Sequence, residues 1–72
     1  MDNQIVQVTK NGLDELEKEL RELIKVRRPA AVERVQRARE FGDLSENAEY
    51  HSAREELNFI DGRIEELEDI TN

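Results

Sequence analysis

Residues 50–67, YHSAREELNFIDGRIEEL, place Tyr50, Ala53, Leu57, Ile60, Ile64 and Leu67 at successive spacings of 3, 4, 3, 4 and 3. A helix with that rhythm buries one narrow apolar stripe against a partner helix, as the seam of a coiled coil does. Towards the N-terminus, beyond Gly42, Leu13, Leu16, Leu20 and Leu23 repeat the 3, 4, 3 spacing, and Ala31, Val35 and Ala38 resume at 4, 3. Between those runs Arg27 falls on the seam position. Pro29 removes a backbone donor and disfavours helical geometry at Arg28, so a kink or short break is expected near Val26 to Pro29. Pro29 would equally suit the first position of a new helical segment.

Folding the two seams back on each other at Gly42 sets Ala38 against Tyr50, Val35 against Ala53, Ala31 against Leu57 and Ile24 against Ile64. One register satisfies all four pairs, which favours an intramolecular hairpin over a parallel dimer. The expected fold is all-α: an antiparallel two-helix coiled-coil hairpin with helix 1 over about 10–41, a tip at 42–45 and helix 2 over about 46–71, the first helix kinked or broken near Pro29. Arms of roughly 30 residues at about 1.5 Å rise each make a rod about 45 Å long. Thr9 can cap the first helix, and the preceding Gln4 to Val8 reads as a short lead-in. Gly62, inside the second heptad run, costs about 1 kcal/mol relative to alanine, which points to a close approach of the first helix there.

The chain has 72 residues, 40% of them charged and 4% aromatic, and a formal charge of −7. That balance suits long solvated helices rather than a wide core. The acidic total argues against indiscriminate nucleic-acid binding by the whole surface, although not against a local basic patch. With no cysteine, disulfides and thiolate metal sites are excluded, and His51 is the only histidine. No apolar run reaches the roughly 20 residues that span a bilayer, and Met1 to Thr9 lacks the layout of a signal peptide. A cytoplasmic protein is the expectation. The seam continues through Ile70 without a Gly or Pro stop, which suggests one piece of a longer chain.

Chemistry concentrates at the tip, where Asp43 and Glu46 lie three residues apart at the start of a helix. Their side chains can share a face about 5 to 6 Å apart at Cβ. Spacing alone favours a capping box over catalytic or metal-binding work. Lys25, Arg27, Arg28, Arg34, Arg37 and Arg39 crowd the distal half of the first helix, opposed there only by Glu33. Interhelical ion pairs are the simpler account of them and a nucleic-acid-facing patch the sharper one. In the fold-back register Arg34 faces Arg54, a like-charge pair that favours an anionic ligand near the tip. Tyr50 reads as core and His51 as a solvated residue, while Phe41 and Leu44 either close the end of the core or grip a partner.

The run Ala38, Arg39, Glu40, Phe41, Gly42, Asp43, Leu44, Ser45, Glu46, Asn47, Ala48, Glu49, Tyr50 and His51, continued by Ala53, Arg54, Glu55 and Glu56, resembles the GreA family of bacterial transcript-cleavage factors. Thr9 to Leu13 with Gly12, then Arg28 and Pro29, and finally Gly62 and Arg63 extend the resemblance over nearly the whole chain. Leu44 after Asp43, and Glu49 with Tyr50 and His51, are closer to GreA than to its sister GreB. Phe41 stands where relatives often have histidine. The resemblance implies a transcription elongation factor that enters the secondary channel of RNA polymerase. There it stimulates cleavage of the 3′ end of backtracked nascent RNA by the polymerase's own active site. It implies an accessory factor rather than an enzyme, acting within the DNA-bound transcription complex, with Asp43 and Glu46 helping to hold a shared Mg²⁺ and Arg39 and Arg54 approaching the RNA. Two carboxylates are too few to hold Mg²⁺ firmly without the polymerase. The family's C-terminal polymerase-anchoring domain has no counterpart in these 72 residues. Other readings are a channel-binding inhibitor of the same fold and a structural or RNA-binding helical arm.

Overall fold

The computed structural model describes residues 9–72; the lead-in Gln4 to Val8 lies outside them. Helix α1 runs over 10–39 as α-helical Lys10–Glu22, a wider π-turn Leu23–Arg27, and α-helical Arg28–Arg39. A 3₁₀ turn, Leu44–Glu46, follows, and α2 occupies Ala48–Thr71. The two helices fold into a hairpin of 52 × 25 × 14 Å. Thr9 starts α1 as expected, its Oγ1 accepting from the Gly12 amide at 2.9 Å, which satisfies one of the donors a helix leaves unpaired at its N-terminus.

The irregularity expected near Pro29 takes the form of that π-turn, and the helix does not break. The Arg28 amide donates to the Leu23 carbonyl, five residues back instead of four. The seam explains why. Leu23 and Ala31 are eight residues apart where a heptad requires seven, and one π-turn lodges the additional residue without rotating the following helix out of phase. Burial accordingly passes from Leu23 to Ala31, with Ile24 43% and Val26 54% exposed. Pro29 falls at the start of the resumed α-helix, beside the turn where the α-helical ladder is already interrupted.

The core is one file of side chains. Leu23, Ala31, Val35 and Ala38 on α1 meet Ala53, Ile60 and Leu67 on α2, the latter three with no exposed surface. Leu16, Leu20, Leu57 and Ile64 pack partly buried against the Leu23, Ala31, Ile60 and Leu67 cluster. The fold-back register therefore stands near the tip but changes beyond the π-turn, where Leu23, not Ile24, enters the core. Gly62 has no close neighbour: a Cβ there would meet nothing within 4 Å, so the close approach expected at that glycine does not occur.

Candidate functional site

Beyond the end of α1 at Arg39 the chain turns at Gly42, whose φ of 110° lies in the region that favours glycine. The amides of Phe41 and Gly42 turn back onto the carbonyls of Ala38 and Arg39. Asp43 does not cap α2, as the capping-box reading required. Its Oδ1 accepts from the Ser45 amide at 3.0 Å and from the Ser45 hydroxyl at 2.8 Å, closing the 3₁₀ turn. Asn47 caps α2, with its Oδ1 accepting from the Tyr50 amide at 3.0 Å, and its Nδ2 donates to the Ala38 carbonyl at 2.6 Å. One amide side chain therefore joins the end of α1 to the beginning of α2. An asparagine directly ahead of a helical run is itself an N-cap signal, one that competes in the sequence with the longer Asp43-to-Glu46 pattern.

Asp43 and Glu46 are both exposed. Glu46 takes part in no ion pair among the described residues, and the Asp43 bonds fall on Oδ1 alone. No group of three or more histidine, cysteine or acidic side chains that could hold a metal occurs among the described residues. Two exposed carboxylates with unsatisfied oxygens nevertheless fit the hard, partly hydrated coordination of Mg²⁺, which commonly takes one or two protein carboxylates and completes its shell elsewhere. His51 lies at the surface, but its Nε2 is 3.2 Å from the Ser45 carbonyl oxygen, and its ring meets Tyr50 edge-on at 5.7 Å. Phe41 is 74% exposed and does not close the core. It borders an open hollow of about 450 Å³ shared with Arg34, Arg37, Ala38 and Glu49.

The basic residues divide between two flanks. Arg34 reaches Glu49, Glu56 and the Ser52 hydroxyl, and its hydrogen bonds to Glu56 and then Glu49 raise its already high pKa. The like-charge confrontation with Arg54 expected from the register is absent, because Arg34 turns to acids on the other side of the seam. Farther from the tip Arg63 continues that flank, with bonds of 2.9 and 3.1 Å to Glu19 and 2.8 Å to Glu66. On the opposite flank Arg28 is held by Asp61 at 2.6 and 3.3 Å. Arg39 lies eleven residues, three helical turns, beyond Arg28, and Arg54 one heptad before Asp61, so both occupy this second flank. Both are exposed, and neither forms an ion pair among the described residues. The interhelical ion-pair account thus holds for Arg28 and Arg34, Arg37 approaches Glu33 within α1 at 4.0 Å, and Lys25, Arg27, Arg39 and Arg54 form no ion pair among the described residues.

The family model described as transcription elongation factor, N-terminal, spanning GreA and GreB, matches residues 6–72. This chain belongs to the GreA/GreB family. It is 57% identical over 63 residues to the transcription elongation factor GreA of Paracoccus denitrificans, covering 88% of this chain and 40% of that protein. With the GreA of Rhodospirillum rubrum it shares 55% identity over 67 residues, covering 93% and 43%, and with that of Acidiphilium cryptum 59% over 63 residues, covering 88% and 40%. The chain therefore spans about two fifths of the length of these GreA proteins. Among its described residues no helix is long and apolar enough to cross a membrane.

Proposed function

We propose that this chain acts on bacterial RNA polymerase, entering the secondary channel tip first and stimulating cleavage of the 3′ end of backtracked nascent RNA by the polymerase's active site. The observation that carries the reading is the tip itself: two exposed carboxylates at the end of a thin rod, one with a single oxygen tied down and the other without a partner among the described residues. A hairpin 14 Å across its narrowest dimension suits a narrow passage, and its sequence places it in a family of elongation factors.

The division of labour follows from chemistry. Asp43 and Glu46 would contribute oxygen ligands to a Mg²⁺ shared with the polymerase, too few to retain the ion unaided. Mg²⁺ so bound would lower the pKa of a coordinated water and neutralise charge developing on phosphate. Arg39 and Arg54, without acidic partners among the described residues, would attract the RNA backbone. The protein is an accessory in this scheme: its carboxylates complete a site whose remaining ligands and substrate belong to the polymerase. Residence in the cytoplasm follows from that partner.

Asp43→Asn tests the scheme, because an asparagine Oδ1 can keep the bond from the Ser45 amide while losing the charge a hard cation requires. With this chain in large excess over stalled, backtracked elongation complexes, wild type is expected to shorten the labelled RNA, and Asp43→Asn and Glu46→Gln to do so at least tenfold more slowly with unchanged melting curves. Cleavage by Asp43→Asn near the wild-type rate, with loss in Asp43→Ala only in step with stability, would reduce the carboxylate to a turn-forming group.

A further inference from the structure

We infer that Ser45 and His51, with Asn47 closing the loop beneath them, are positioning residues that hold the Asp43 carboxylate in one orientation and leave its Oδ2 free for a cation. This inference rests on the reading of Asp43 as a metal-organising acid.

Three ties converge on this short loop. Ser45 places two donors on a single oxygen, its amide at 3.0 Å and its hydroxyl at 2.8 Å from Asp43 Oδ1. An aspartate bound through one oxygen by two donors at different angles is restricted in both side-chain torsions, whereas one bond would leave it free to swing. His51 reaches back from the first turn of α2 to the Ser45 carbonyl at 3.2 Å, a bond that requires the imidazole proton on Nε2. It thereby fixes the peptide that carries the donors. Asn47 fastens the ends of the segment, joining the Ala38 carbonyl to the Tyr50 amide, so that residues 39–46 form a closed loop rather than a loose connection.

Folding accounts for one of these ties, the Ser45 amide bond that makes Asp43 the cap of the 3₁₀ turn, and leaves the Ser45 hydroxyl and the His51 ring over. Capping α2 requires only Asn47 Oδ1, and Ser45 and His51 are exposed, where water could satisfy the same groups. What they add is order at Asp43. A carboxylate already confined to the ligand-ready orientation avoids the entropy cost of being ordered when the ion arrives. Among the described residues Glu46 has no comparable tie, which makes Asp43 the fixed ligand and Glu46 the adaptable one.

Two measurements on the 72-residue chain test the inference. In the free protein, three-bond couplings across the Asp43 Cα–Cβ bond are expected to report a single χ1 rotamer in wild type and averaging in Ser45→Ala and His51→Ala. In the cleavage assay both variants are expected to need at least threefold more Mg²⁺ for half-maximal stimulation and to recover the wild-type rate at saturating Mg²⁺. Ser45→Thr, which keeps the hydroxyl, should restore both readouts, and all melting temperatures should agree. Unchanged couplings with an unchanged Mg²⁺ requirement would overturn the inference, as would losses that merely track melting temperature. If wild type fails to stimulate cleavage, the proposed function falls, and the couplings still decide whether Ser45 and His51 position Asp43.

Discussion

Gly42 and Gly62 are the same residue under opposite constraints. Gly42 sits at a φ of 110° where α1 turns into the tip, and no neighbour lies within 4 Å of the place its Cβ would occupy; its reason is backbone geometry alone. Gly42→Ala is therefore expected to cost about 1 to 3 kcal/mol, the usual strain of a side chain held in such a region. Gly62 lies within α2, is exposed, and has equal space around it. Gly62→Ala should accordingly stabilise the hairpin by about 1 kcal/mol through helix propensity, raising the melting temperature by roughly 4–8 °C for a domain of this size. Thermal denaturation of both variants reads out the contrast, and a destabilised Gly62→Ala would contradict the open surroundings described. The tip shows what sequence could convey at this scale. The presence of Asp43 and Glu46 at the tip is legible from type and spacing, but which residue caps α2 is not, because Asp43 and Asn47 are both competent caps and only the backbone path decides between them.

Within α1 the π-turn separates two causes that coincide in the sequence, the proline and the additional seam residue. Heptad arithmetic makes the second one sufficient, since Leu23 and Ala31 must both reach the core across eight positions. Pro29→Ala alone is thus expected to keep the π-turn, with Ile24 still exposed. Deleting Val26 in that background restores the seven-residue spacing and should give a continuous α-helix with the same buried side chains. Carbon chemical shifts and amide exchange across 23–28 distinguish the outcomes; loss of the π-turn in Pro29→Ala would assign it to the proline. The heptad run of α2 is legible throughout because nothing interrupts it, and Leu23 stands on the first seam; the pairing of Ile24 with Ile64 fails because the fold-back register runs straight across the additional residue between Leu23 and Ala31. Ion pairing between the helices carries a pH signature. Hydrogen bonding from Arg63 holds Glu19 below its ordinary pKa, against the upward pull of partial burial. A depressed carboxylate contributes stability above its unfolded value, and that contribution is lost as pH falls through its folded one. Wild type should therefore melt above Glu19→Gln at pH 7, with the gap closing well below pH 4.5, the ordinary value for this group. A gap that persisted at pH 2 would mean that the pair contributes through packing alone.

Over the whole molecule charge is distributed along the rod as well as around it. Glu15, Glu17, Glu19 and Glu22 near the start of α1 lie at the same end as Glu65, Glu66, Glu68 and Asp69 near the end of α2, whereas Arg34, Arg37, Arg39 and Arg54 lie towards the tip. Residues 26–60 carry six basic and seven acidic side chains, and the remaining described residues five and ten, so a polyanion would be repelled less by the distal half than by the proximal half, a bias towards tip-first approach. Within that field Arg39 and Arg54 differ from Arg34 in having no acidic partner on their flank among the described residues, so their charge remains available. If they meet RNA phosphate, each contact displaces roughly one counterion, and removing it should reduce the salt slope of binding by about one. Arg39→Ala and Arg54→Ala are accordingly expected to reduce cleavage stimulation most on deeply backtracked complexes, where more RNA is extruded, and to flatten its dependence on salt. Arg34→Ala should act differently, lowering the melting temperature by releasing Glu49 and Glu56 and leaving the salt slope nearly unchanged. Cleavage rates measured from low to moderate ionic strength, on complexes backtracked by few and by many nucleotides, separate the two classes. Equal losses on short and long extruded RNA, with slopes matching wild type, would assign Arg39 and Arg54 to the solvated surface of the hairpin and require another source for its attraction to the transcript.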